Sequence, residues 1–147
     1  MIVRSAQPGE EAALTELAIR SKGHWGHDPA FLERARAELT VRPEHLERWI
    51  VRVAERERAV VGFAAVDVDA AELEMLFVEP AAIGTGAGRA LLQDALARAR
   101  EARLEHLLIE SDPDAEPFYR SQGAEPHGTR ISSSTGRELP LLRIPTG

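Results

Sequence analysis

The sequence predicts one mixed α/β domain, classed as α+β in some schemes, whose mainly antiparallel sheet is flanked by helices. Three observations carry this prediction. β-Branched and apolar runs at 49–53, 60–68 and 73–78 are separated by polar turns too short for anything but antiparallel pairing. A glycine-rich window then leads into a long amphipathic stretch and another apolar run, the pattern of a parallel crossover. Scattered prolines, with no repeat, low-complexity tract or long linker, leave residues 1–147 to form a single domain.

Taken in order, residues 2–4 start a short strand. Residues 10–22 carry Leu14, Leu17, Ala18 and Ser21 at helical spacing, and Gly23 is placed to stop that helix. Asp28 before Pro29 reads as an N-cap and first-turn proline, opening a second helix through Phe31, Leu32, Ala35 and Leu39, with Pro43 beyond its end. After the three-strand meander, Leu91, Leu92, Ala95, Leu96 and Ala99 mark a helix from Gly88 onward. Residues 106–110 form a strand, 114–122 a short helix with Gly123 as its C′ residue, and strands around Thr129 and over 139–144 close the chain. The predicted order is βααβββαβαββ.

Composition narrows the chemistry. With no cysteine, sulfur-based covalent catalysis, thiolate metal sites and redox pairs are out, and a reducing compartment fits. The longest apolar stretch, 59–66 with Gly62 inside it, is far short of the ~20 residues of a membrane span. The N-terminus lacks a secretory apolar core, so a cytoplasmic location is the expectation. A net charge of -6 is the wrong sign for tracking nucleic-acid phosphates. An anionic ligand must therefore be held by local donors.

Residues 83–89, Ile-Gly-Thr-Gly-Ala-Gly-Arg, offer such donors where a strand feeds a helix. The first helical N–H groups have no intrahelical partner, glycines let them converge on a phosphate oxygen, and the helix dipole favours its charge. Arg89 in the first helical turn opposes that dipole unless an anion offsets it. The dinucleotide fingerprint fails because Arg89 stands where a third glycine belongs, and the Walker loop fails for want of Lys followed by Ser or Thr.

This window, with the strand before it and residues 115–124 downstream (Ala-Glu-Pro-Phe-Tyr-Arg-Ser-Gln-Gly-Ala), resembles the GNAT superfamily of acetyl-CoA-dependent N-acetyltransferases. That superfamily's signature is Arg/Gln-x-x-Gly-x-Gly/Ala between strand and helix. Ile83 departs from it, standing where the Arg or Gln belongs. The resemblance implies a GNAT-like sheet with a parallel pair, ending near Val78 and Glu110, that splays to admit the pantetheine arm. Backbone groups of Leu76, Phe77 and Val78 would then bond the pantetheine amides. Gly84, Thr85, Gly86, Ala87, Gly88 and Arg89 would hold the pyrophosphate. The co-substrate would be acetyl-CoA, with no metal.

Acetylating an amine requires a base for the amine and a proton for the departing thiolate. Tyr119, the single tyrosine, matches the family position whose phenol lies near the cofactor sulfur, which implies a general acid. Glu72 and Glu74 are two apart, so a regular strand would aim both at one face, where either could accept the amine proton. His24 and Trp25 fall in the loop that resembles the family's acceptor-binding wall. There Trp25 would cover an apolar or ammonium group and His24 would serve as alternative base. His24-x-x-His27 lacks a third ligand at metal-site spacing, and Ser132, Ser133 and Ser134 read as a polar turn beside the acceptor site.

The expected activity is therefore direct transfer of acetyl to a primary amine, on a small molecule, within a ternary complex. A protein amine as acceptor, a longer acyl group and a non-catalytic CoA-binding module stay open, as does a homodimer. No Gly-x-Ser-x-Gly elbow supports an acyl-serine route.

Overall fold

The structure, a computed structural model, describes residues 1–133 and 135–147; Ser134 lies outside the described residues. Strand β1 (Ile2–Ser5) leads into helices α1 (Glu11–Gly23), α2 (Pro29–Leu39) and α3 (Pro43–Arg48). The meander β2 (Ile50–Arg56), β3 (Ala59–Asp67) and β4 (Glu72–Val78) follows. A 3-10 turn at Pro80–Ala82 enters α4 (Ala87–Glu101), and β5 (His106–Glu110), α5 (Glu116–Ser121), β6 (Glu125–Ile131) and β7 (Glu138–Pro145) complete the chain. One seven-stranded sheet runs β1-β2-β3-β4-β5-β7-β6, and β4 with β5 is its only parallel pair among the described residues.

Capping chemistry explains the starts of α2 and α3. Asp28 accepts a hydrogen bond from Phe31 N–H at 2.7 Å, with Pro29 at the first position as expected. Pro43, read from sequence as lying past a helix, opens one: its fixed φ suits a first turn, and His45 Nδ1 accepts from Arg42 N–H at 3.0 Å. The order therefore contains one helix more than predicted. Helix α1 ends at Gly23, as read, but not through a left-handed glycine there; the left-handed residue comes later, at Gly26, with φ 86°. Gly123, at φ 103° just past α5, does fill the C′ role.

Two apolar layers sandwich the sheet. Leu91, Leu92, Ala95 and Ala99 of α4 bury against Ala64, Val66, Leu73, Leu107 and Ile109. On the other face, Leu14, Leu17 and Ala18 of α1 with Phe31, Ala35 and Leu39 of α2 cover Val51, Val53, Phe63, Ala65 and Met75. The interior strand β3 leaves no slack at Gly62, where an added Cβ would lie 2.8 Å from Phe77 O and 2.9 Å from Leu91 Cδ1. Both the next strand's backbone and α4 depend on that missing carbon. Gly62→Val is expected to destabilise the fold by about 3 kcal/mol, a fall of roughly 10 °C in Tm by calorimetry. A Tm within a degree or two would contradict this packing.

The antiparallel register slips once in β4. Ala65 pairs with Met75 and Val66 with Leu73, so Glu74 is an extra residue with no partner on β3. Leu73 consequently joins the α4 layer while Met75 joins the α1 and α2 layer. No helix among the described residues is long and apolar enough to cross a membrane.

Candidate active site

Strands β4 and β5 pair only at Glu72 with Leu108 and Leu73 with Ile109, and then part. The stretch from Glu74 to Val78 keeps β3 on one side and has no strand partner on the other. A cavity of about 600 Å³ opens at this fork. Its floor includes Glu72, Glu74, Met75, Leu76, Phe77, Glu110 and Tyr119; Trp25, Leu39, Thr40, His45 and Trp49 belong to its helical wall. His45 and Trp49 stack at 4.1 Å, a flat aromatic panel facing the fork.

The two predicted carboxylates reach one cavity, though not through regular alternation, since the bulge at Glu74 interrupts it. They also differ in state. Glu72 receives Arg130 Nη1 on both oxygens, at 2.9 and 3.1 Å. Glu74 has no ion pair or hydrogen bond among the described residues; burial, reinforced by the Glu72 charge, pushes its carboxyl up to about 7. Glu110 on β5 accepts from the same Arg130 Nη1 at 3.3 Å, and its burial raises it too, with Arg130 opposing. Of the three acids, Glu74 alone combines an unpartnered carboxylate with a proton affinity near neutrality.

Tyr119 is 6% exposed, packs edge-on against Phe118 at 5.3 Å and lines the cavity. Its hydroxyl has no hydrogen-bond partner among the described residues, and burial pushes the phenol upward, so it keeps its proton at neutral pH. A phenol in that state can donate but does not act as a base.

The glycine window lies at the far end of the unpaired stretch of β4, outside the cavity lining. Gly84 and Gly86 adopt φ 82° and 90°, conformations that disfavour side chains, and Gly86 is the N-cap of α4. The ladder of α4 begins with Ala90 N–H bonding Gly86 O, so the N–H groups of Ala87, Gly88 and Arg89 precede it and have no intrahelical acceptor. Space around Gly84 and Gly86 is open. Ile83 is 40% exposed and supplies no charge, and Arg89 is exposed. From the last residue of β2, however, Arg56 Nη2 donates to Thr85 O at 3.3 Å, setting a guanidinium against the loop. These backbone donors and this cation fit a diphosphate.

The acceptor-wall residues separate. Trp25 is 46% exposed on the cavity wall, while His24 packs edge-on to Trp25 at 5.2 Å outside the lining. Ser133 lines the cavity and its hydroxyl donates to Glu38 Oε1 at 3.3 Å; Ser132 is buried. His27 clusters with Asp112 and Asp114, their ligand atoms within 4.8 Å of one another, apart from His24. Lys22 Nζ at 3.6 Å and Arg137 Nη2 at 3.9 Å already counter Asp112. Sequence reasoning missed Arg130, Glu110 and Arg56, whose partners are distant in the chain. Only Glu110 carried any signal, as an acid ending a strand beside the expected splay.

Residues 29–135 match the family model described as acetyltransferase (GNAT) domain. No curated protein sequence matches. Among solved structures, a GCN5-related N-acetyltransferase from Rhodopseudomonas palustris superposes with a TM-score of 0.83 at 17% identity, over 98% of this chain and 94% of that one. Ribosomal-protein-alanine N-acetyltransferase from Brucella melitensis gives 0.68 at 27% identity, over 97% and 98%. A PaiA N-acetyltransferase from Thermoplasma acidophilum, in complex with coenzyme A, gives 0.77 at 14% identity, over 98% of each chain.

Proposed function

The chain belongs to the GNAT acetyltransferase family, and from that premise we propose that it transfers acetyl from acetyl-CoA to a primary amine of a small molecule, by direct attack within a ternary complex. The observation that carries this reading is the fork: β4 and β5 part beside Glu74, and the cavity opened there also takes in Tyr119. Acetyl-CoA supplies an activated acetyl thioester. Gly84, Thr85, Gly86, Ala87, Gly88 and Arg89 hold its diphosphate through main-chain donors, with Arg56 providing the side-chain charge that Ile83 lacks. The unpaired backbone of Leu76, Phe77 and Val78 lines up the pantetheine arm as an added strand.

Glu74 takes the proton from the acceptor ammonium, and a carboxyl near 7 is poised to do so at neutral pH. Tyr119 gives a proton to the departing thiolate. Trp25 and the His45–Trp49 panel cover the acceptor's apolar body. Glu72, held by Arg130, serves as local charge and not as a second base.

Measuring CoA release against a panel of amines tests the whole reading. Saturation in both substrates with intersecting double-reciprocal lines is expected; absence of turnover with every amine rejects it. Tyr119→Phe is expected to lower kcat about 100-fold while acetyl-CoA affinity stays within about twofold, as for a proton delivered mainly in the transition state. An unchanged kcat removes Tyr119 from the mechanism.

A further inference from the structure

We propose that Arg130 is a positioning residue for this reaction, and the proposal rests on the transferase reading above: by holding Glu72 and Glu110 together across the fork, it leaves Glu74 as the carboxylate free to meet the acceptor amine. The register shows why such a device is needed. With Glu72 beside Leu108 and Leu73 beside Ile109, one further parallel step would set Glu74 next to Glu110, so three acids crowd the point where the strands part. Like charges so placed repel one another and resist ionisation together.

Arg130 answers this from outside the fork. It stands on β6, which the sheet order separates from β5 by β7, yet its Nη1 reaches Glu72 at 2.9 and 3.1 Å and Glu110 at 3.3 Å. One guanidinium thus bridges the two strands at the root of the cavity and is itself only partly exposed. The other charged groups around the cavity do not substitute for it. Lys22 of α1 faces Asp112, Arg42 before α3 has no acid partner among the described residues, and Glu38 of α2 takes its hydrogen bond from Ser133. His45 of α3 is stacked on Trp49, and Asp67 of β3 adds a further negative charge near Glu74. Arg130 is the cation that offsets the charge on Glu74, while Glu72, Asp67 and Glu110 all oppose ionisation there.

A purely structural tie between strands would stabilise the fold without moving the titration of Glu74, so the test reads that titration directly. The full-length protein, carrying 13C-carboxyl glutamate, is titrated by NMR, the Glu74 signal being assigned by its loss in Glu74→Gln. In parallel, kcat/KM is measured across pH. Arg130→Met is expected to move both curves up by about one pH unit, cutting kcat/KM roughly eightfold near pH 6.5 with little change near pH 9. Arg130→Lys should return them towards wild type. Glu110→Gln, which removes a negative charge, should move them the opposite way.

A folded Arg130→Met whose Glu74 titrates as in wild type overturns the proposal, as do shifts of the same sign in Arg130→Met and Glu110→Gln. Should Arg130→Met fail to fold, the same titration is read in Arg130→Gln: an upward shift that Arg130→Lys does not show supports it, and a wild-type curve overturns it. A wild-type protein that turns over no amine counts instead against the transferase reading, which separates the two failures.

Discussion

Glu74→Gln should lower kcat about 100- to 1000-fold while leaving the Kd for acetyl-CoA within about twofold, because the amide keeps the shape of the side chain and loses only its capacity to take a proton. As a base Glu74 would work in its carboxylate form, so activity should fall as pH drops through about 7, and that acid limb should be missing from the residual activity of the variant. Stability moves the other way. Folding raises this carboxyl from the ordinary 4.5 to about 7, so the folded state binds the proton more tightly than the unfolded chain. Its contribution is greatest below the unfolded value and is lost as pH rises through the folded one. At pH 8 the glutamine variant should therefore melt no lower than wild type, and a little higher if the exposed part of the side chain screens weakly. Steady-state kinetics and thermal melts on one preparation check both signs. A kcat within threefold of wild type would dismiss Glu74 as base.

The largest effect on binding is expected from Gly86→Glu, which should weaken acetyl-CoA at least about 100-fold by isothermal titration, equivalent to about 2.7 kcal/mol. The glycine caps α4 at φ 90°, a conformation that costs other residues roughly 1–2 kcal/mol, and open space around it admits a side chain. The new carboxylate would then sit at the positive end of a fifteen-residue helix, satisfying the same N–H groups that a diphosphate needs. Gly86→Ala separates the two causes, since it brings the backbone strain without the charge and should cost about tenfold or less. Wild-type affinity in Gly86→Glu would mean that the diphosphate is held elsewhere.

Much of this architecture was legible because the signals are local. Short polar turns dictated the meander, Asp28-Pro29 dictated a helix start, and the Ala and Leu spacing after the glycine window dictated α4. The short helix α3 escaped because Pro43 carries the same letter whether it ends one helix or begins the next, and what decides is the His45 side chain turning back to the Arg42 amide. The bulge escaped for a deeper reason: period-two alternation is a property of one strand, whereas register belongs to a pair. Glu72 and Glu74 were legible as two carboxylates on one strand, but the pairing of the first and not the second was not. It depends on Arg130, 58 positions away from Glu72, and on packing that no spacing rule encodes. Arg56 was invisible for the same reason, its link to Thr85 joining the end of β2 to the loop before α4, 29 positions on.

Glu74 is supernumerary to the hydrophobic code of its strand. Leu73 faces α4 and Met75 faces α1 and α2, so excising the residue between them would restore an unbroken ladder without reassigning any apolar side chain. Scaffold and carboxylate are in this sense written on separate tracks: a single codon deletion would remove Glu74 and keep both apolar layers, and the reverse step would add it.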